Sequence, residues 1–514
     1  MPWDALSNKI NDADVIPSMT RSRTATLRDS VSSGRNGGQF ALLLLIVAWA
    51  PIPIGSNRGW SLAILEFAVL LLFAGWALKY AWRPFRVPPA VLDVRVALIV
   101  LSLWLIYPIM QMIPISLDFA ETIGGRSGHL YSKHPYGVPF ERAYLSLDRG
   151  ATLAASIRQC ALVAVFFLAL ALATSVSRLK LALGVLLVVG SVEALYGLLN
   201  YFGGRELGLW NPGHAQVTVS GTYVNQNHFA GLLEMTIPIG LGLLLAAGPM
   251  RERPAGLKTT IRYLAAFMMS HRGIVLFCVL LMTAALIMTN SRGGAGALAI
   301  GVTVTIAIAV TRKGIRAREL KLGLTIVLVS VIAVLWLGSG QFSEKLQSAG
   351  LSSDRGDLAK LTYRMIGEQP ALGTGLGSYR WVFPSYKDER FGIYFYEHAH
   401  NDYLEVLSEQ GIVGFSLLAS GVLLILVPMI RAFGGSRDPL VRGTLFATMA
   451  GCLSLMIHGL VDFNFQIPAN AVYFFFLLGL GTVALSLQRS TASAKSIPNA
   501  RQSTFHRIPE THPG

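Results

Sequence analysis

Apolar runs of about twenty residues, separated by short polar or basic breaks, fill most of this chain, and the pattern predicts a protein threaded repeatedly through a membrane. A hydrocarbon core about 30 Å thick needs about 20 mostly apolar residues per helix. Runs of that kind fall at 40–54, 61–79, 94–114, 156–175, 181–201, 228–248, 273–289, 295–310, 322–338, 411–430, 444–461 and 470–487. The expected fold is all-α, a polytopic membrane protein of about twelve transmembrane helices, with a long, partly helical outer loop before the tenth. Composition agrees. Of the 514 residues 53% are hydrophobic and only 14% charged, with a mean hydropathy of +0.52, against about 25% charged in soluble globules.

The pattern divides the chain into a polar, Ser/Arg-rich segment 1–38, helices over 39–202 with an outer loop near 115–155, a second set over 203–487 that includes the loop 339–410, and a basic tail 488–514. Segment 1–38 lacks the apolar core and small-residue cleavage site of a secretory signal. Both tails are poor in large apolar residues, which leaves nothing to offset the entropy of ordering them, so both are expected to be disordered. Cys160, Cys278 and Cys452 all lie inside apolar runs, with no spacing for a disulfide or a metal.

Charge sets the expected orientation. With the N-terminus cytoplasmic, alternate loops read KYAWRPFR, SRLK, RERPAGLKTTIRY, TRKGIRARELK, RAFGGSR and QRS, all basic, and the opposite loops carry far less. Short basic loops stay in the cytoplasm, so both termini are expected there. The net charge of +15 then reads as a topology signal and an attraction to anionic lipid, ahead of nucleic-acid binding.

Polar chemistry gathers on the outer side. The segments 114–156 and 338–410 are long, and the second ends in HAHNDYLEVLSEQG. Asp402 followed by Glu405 resembles a capping box, which places His400 and Asn401 at a helix N-terminus. Such an end attracts anions, and a neutral imidazole there can take a proton near pH 7; surface histidines at the membrane interface are the competing reading. Arg292 stands in a polar break, Thr289 to Gly294, as a phosphate fork or as an arginine snorkelling to headgroups. Asn225, Asn227 and His228 open the sixth run, as helix caps or as hydrogen bonders to sugar hydroxyls. His458, Asp462, Asn464 and Gln466 sit between the last two runs, where His458 and Asp462 can form a functional site or a structural i, i+4 pair.

The order NQNHFA, SRGG, an Arg about forty-five residues before HAHNDYLxxxxExG, then HGLVDFNFQIPAN resembles the O-antigen ligase and O-antigen polymerase superfamily. The resemblance covers roughly 185–487 and is strongest from Ser291 to Gly414; GTGLGSY at 373–379 fits it, and Leu358 or Leu361 stands where the family often has an aromatic. It implies a metal-independent, inverting glycosyltransferase without a cofactor, at the outer face of the bacterial inner membrane. The donor would be a glycan on undecaprenyl diphosphate, and the acceptor another glycan or lipid A core, in lipopolysaccharide or exopolysaccharide synthesis. His400 matches the family's loop histidine, expected to act as base, and Arg292 and Arg355 match the arginines expected on the diphosphate. Arg364, Asn401, Asn227, Glu409 and Tyr379 are further candidates for the same pocket. Trp381, Tyr386, Tyr394 and Tyr396 are candidates to stack on sugars or to anchor at the interface.

Fixed Arg forks stabilise charge developing on a leaving phosphate, and a histidine suits removal of an acceptor proton. Protein O-oligosaccharyl transfer uses the same chemistry and stays open. A secondary transporter or lipid flippase fits less well, because the apolar runs are mostly uninterrupted and the polar residues crowd at their outer ends.

Overall fold

The computed structural model describes residues 36–123, 142–203, 218–247, 256–312, 351–436 and 438–496. Most of both tails and the expected ninth run at 322–338 lie outside them. The apolar runs form α1 (Gly37–Trp49), α2 (Gly59–Trp82), α3 (Arg95–Gln111), α4 (Arg149–Leu172), α5 (Val176–Phe202) and α6 (Gln226–Ala246). After a short α7 (Leu257–Met268) come α8 (His271–Met288) and α9 (Arg292–Thr311). Helix α10 (Leu351–Glu368) lies in the long segment 338–410, followed by α11 (Asp402–Ala432), α12 (Pro439–His458) and α13 (Pro468–Ser496). Among the described residues nine helices are long and apolar enough to span a membrane, and α1 and α3 are shorter apolar helices. The protein is an all-α polytopic membrane protein.

Polar residues set the helix starts. Asp148, Ser175, Asn225, Ser270, Ser291, Asn401 and Asp438 each accept a hydrogen bond from a first-turn N–H. Each cap satisfies a donor that the helix cannot. The cap of α11 is Asn401, one residue before the expected capping box, because Glu405 is engaged elsewhere. At the other end of the chain, α13 continues past Leu487 to Ser496, beyond the expected start of the tail.

Helices α6, α12 and α13 form the centre of the bundle, while α2 and α8 present rows such as Ile64, Phe67, Leu71 and Ile274, Phe277, Leu280 outward. Lipid solvates those rows as well as protein would, so close association depends on shape. At the crossing of α6 and α12 the backbones of Gly242 and Gly443 meet: a Cβ on Gly242 would lie 2.2 Å from the Gly443 carbonyl oxygen, and one on Gly443 2.1 Å from that of Gly242. Only glycine permits this approach.

Helix α7 departs from expectation. RERPAGLKTTIRY reads as a basic loop, yet Leu257–Met268 is helical with no buried side chain, and Leu257, Ile261, Leu264 and Met268 form one exposed apolar row. That spacing is the stripe of an amphipathic helix, which the basic residues Lys258 and Arg262 mask in a count of charge.

Helix α11 is broken where the expected span begins. Gly411 has φ 61° and ψ −169°, and the N–H groups of Ile412 and Val413 donate to the carbonyls of Pro370 (2.8 Å) and Ala371 (3.2 Å). The segment 370–375 therefore wedges into the break and takes up donors that the helix has released. Gln111 fastens this wedge to α3 by donating to Leu372 O (2.8 Å) and Glu409 O (3.0 Å).

Replacing Gly443 with Ala should force α6 and α12 apart at a cost of about 1–3 kcal/mol, as for other overpacked contacts. Thermal unfolding in detergent checks this, and an unchanged midpoint would show that the crossing yields without cost.

Candidate functional site

The polar residues singled out in the sequence converge at the end of the bundle where α6, α9 and α11 begin and α12 finishes. The turn 459–467, between α12 and α13, carries Asp462 into the centre of this end with its side chain only 2% exposed. Asn227 Nδ2 donates to Asp462 Oδ2 at 2.8 Å, and the N–H of Phe463 donates to Oδ1 at 3.0 Å. Around the same carboxylate stand His400 Nδ1 at 3.4 Å, Arg355 Nη2 at 3.8 Å and His228 Nε2 at 3.9 Å. Burial opposes the charge on Asp462, yet His400, His228, Arg355 and His458 hold its carboxyl well below the usual carboxylate range. It remains an anion at any physiological pH.

Packing fixes the loop that presents His400. Glu405, in the first turn of α11, turns back to accept from the N–H of Ala399 (2.9 Å) and to meet His398 Nδ1 (2.8 Å). Asn401 caps α11 through the N–H groups of Tyr403 and Leu404, both at 3.0 Å, and its Nδ2 donates to Leu460 O at 2.7 Å. The N–H of Asp402 donates to Gly459 O, and Asp402 Oδ2 accepts from the N–H of Phe465. Between these ties His400 holds φ +50°, a left-handed conformation that costs a non-glycine residue of the order of 1–3 kcal/mol. The ties on both sides maintain it and aim the ring at Asp462. A proton on Nδ1, assigned there from its nearness to Asp462, leaves the lone pair on Nε2 of a ring that is 29% exposed.

Phe463 is the apolar partition of the site. His398 stacks on it (4.5 Å, 25°), while His228 (4.5 Å, 70°) and His400 (4.7 Å, 82°) meet it edge-on. Burial works against a charge on His398, but the carboxylate of Glu405, helped by Glu409 and Glu397, raises its pKa above the ordinary histidine value. Deeper in the bundle His458 Nδ1 lies 3.2 Å from Glu234 Oε1, both side chains buried. Gly293 and Gly294 make room for that imidazole, since a Cβ on Gly293 would stand 2.8 Å from His458 Nε2. Arg292, the exposed first residue of α9, precedes this contact, and Gly293 also faces Val461.

The other candidates are placed as follows. Arg355 reaches the cluster from α10 and also donates to Val461 O at 3.4 Å. Arg364 is exposed on the same helix, nine residues and so about 13 Å further along, and makes no ion pair within the cluster. Glu409 is buried and accepts from the N–H of Tyr379 at 2.9 Å, so its carboxylate holds the GTGLGSY loop, while its charge acts on His398 from behind. Tyr379, with Leu358, Met365, Phe383, Tyr386 and Phe391, belongs to a small core of the outer segment, while Trp381 and Tyr394 are exposed. Among the described residues no group of three or more His, Cys, Asp or Glu side chains is arranged to hold a metal ion.

Residues 277–419 match the family described as O-antigen ligase. That stretch is thus similar to O-antigen ligases. The matched stretch contains Arg292, Arg355, His398, His400 and Glu405, whereas Asn227, His228, His458 and Asp462 lie outside it and reach the same corner only through folding. No curated protein matches the chain. Helices on both sides of the matched stretch thus complete one polar site. The residue that sequence reasoning undervalued is Asp462. The i, i+4 spacing pointed to His458 as its partner, but His458 turns inward to Glu234 and leaves Asp462 to His400, Arg355 and Asn227.

Because Asp462 titrates below its unfolded value of about 3.9, its stabilising effect is complete above that value and fades only as pH falls below it. Asp462→Asn should therefore lower the unfolding temperature throughout pH 8 to 5, with no narrowing of the difference, since the histidines gain charge on the way down. A deficit that disappears between pH 7 and 5 would assign the stabilisation to another group.

Proposed function

We propose that this protein is a glycosyltransferase that moves a glycan from undecaprenyl diphosphate to an acceptor hydroxyl at the outer face of the bacterial inner membrane, for lipopolysaccharide or exopolysaccharide. The observation that carries this reading is His400, backed on Nδ1 by the buried Asp462 and open at Nε2, on the same corner as Arg355 and Arg292. The acceptor oxygen attacks the sugar C1, the bond from C1 to the diphosphate oxygen breaks, and the acceptor proton passes to His400 Nε2. A positioned base contributes about 10²–10⁴ in rate. Asp462 stabilises the imidazolium that forms, as a carboxylate behind a catalytic histidine does. Arg292 and Arg355 face the charge developing on the diphosphate, where fixed donors are worth most. A single displacement inverts the sugar carbon, and no step calls for a metal.

The orientation rests on charge: Arg83, Arg86, Arg178, Lys180, Arg272 and Arg312 lie in the chain at the helix ends remote from Asp462, which supports a cytoplasmic side for those ends. A chain that elongates a lipid-linked glycan, one that attaches it to lipid A core and one that attaches it to a protein hydroxyl would share this chemistry. Transport is disfavoured because the candidate catalytic groups His400, Asp462 and Arg355 gather at one end of the bundle.

Purified protein in detergent, supplied with a lipid-diphosphate-linked oligosaccharide and candidate acceptors, should transfer glycan in the presence of EDTA. His400→Ala should reduce the rate by about 10²–10⁴, and Arg292→Ala and Arg355→Ala by about 10² each, with each variant still folded. The mass of the product identifies the acceptor. Full activity in His400→Ala would refute the mechanism, and a wild type inactive only in EDTA would refute its independence of metal.

A further inference from the structure

Next to the His400 and Asp462 pair stands a second imidazole with a buried carboxylate behind it. Glu405, with its side chain 3% exposed, meets His398 Nδ1 at 2.8 Å, and the His398 ring is 24% exposed. The opposite edge, with Nε2, has no partner among the described residues. A histidine retained only to fill space would be expected to bury that edge or to bond it. Instead both His398 and His400 turn Nδ1 toward an acid, at 2.8 Å and 3.4 Å, and keep Nε2 open, with both rings packed against Phe463.

We propose that His398 is a second substrate-facing group: its Nε2–H, with Glu405 behind the ring, donates to the diphosphate of the lipid-linked donor while His400 attends to the acceptor. This rests on the glycosyl-transfer reading and adds a division of labour to it. The two acids differ in what they can sustain. Asp462 is shared among His400, Asn227, His228 and Arg355, which spreads its charge over several donors. Glu405 faces one ring and one N–H, and the flat ring of Phe463 lies under His398, where it favours a cation over its π face. A fixed N–H donor at this end of the bundle adds a charge-assisted hydrogen bond to a phosphate oxygen. No bond is made or broken by His398; it holds its proton throughout.

The groups facing His398 are Glu405 and Glu409 on α11, Glu397 on its own strand of chain, and His228 on α6. The acids outweigh the histidine, so the ring is charged below pH 6.5 and discharges only as pH rises through its raised value. Over the same range a diphosphate gains negative charge, which would tighten binding to a fixed cation. Any weakening with rising pH must therefore come from the protein.

Binding of undecaprenyl diphosphate without glycan to the full-length protein in detergent tests this, separately from turnover. Wild-type affinity should fall severalfold from pH 6 to 9. His398→Phe keeps a ring on Phe463 but carries no charge, and it should bind about tenfold more weakly at pH 6 with no such fall; His398→Gln serves the same purpose if the Phe variant does not fold. Glu405→Gln should move the fall to lower pH, and His400→Gln should retain it. If wild type binds and His398→Phe matches it in affinity and pH dependence, His398 has no donor role, although the transferase reading stands. If phosphatidylglycerol in the same micelles competes as well as the diphosphate, the histidine serves headgroups and the assignment fails. A wild type that binds no lipid diphosphate at any pH overturns both readings.

Discussion

The site depends on a buried anion that is never left alone. Asp462 is buried at one end of a helix bundle, where an unpaired carboxylate would be strongly unfavourable. The protein offsets that cost by bringing Asn227 and His228 of α6, Arg355 of α10 and His400 of the loop before α11 to it. Each of those residues is also anchored to its own helix or loop. Satisfying one carboxylate therefore fixes the relative positions of α6, α10, the start of α11 and the turn after α12, and the chemistry is assembled as a consequence of that constraint.

A second constraint acts from below. The break at Gly411 lets the chain at 370–375 take the donors that α11 gives up, and Gln111 and Tyr107 of α3 hold the inserted carbonyl of Leu372. The outer segment is thus bonded into the bundle and does not simply rest on it. That anchoring gives the left-handed His400 a rigid frame, since α11 above the break supplies Asn401, Asp402 and Glu405 as its ties. Strain at one residue persists where many bonds oppose its release.

Glu405 and Asp462 show how one chemistry, a carboxylate behind an imidazole, gives different results in different surroundings. Spread over several donors, the Asp462 charge organises a cluster. Confined to His398 and a single N–H, the Glu405 charge sustains a proton on one ring. Phe463 separates the two and keeps both histidines at van der Waals distance from the same apolar surface.

Much was legible in the sequence because hydrophobic length is a local property. Eleven of the expected spans appear as helices, since a twenty-residue apolar run has no other stable form in lipid. HAHNDYLEVLSEQG announced a helix start with His400 at its mouth, and the cap moved by only one residue because Asn401 competes well for that position. Helix α7 was hidden because its Lys and Arg read as loop charge. Partnerships were not legible. Asp462 was visible only as a neighbour of His458 on a helical count, and Glu409 only as a candidate for the pocket, because spacing along the chain says nothing of where a turn or a break will aim a side chain. The sequence by itself determined the membrane-spanning helices and the residue types available at their ends; the tertiary structure decided which acid faces which base, because that choice depends on burial and on contacts between residues as much as 235 positions apart.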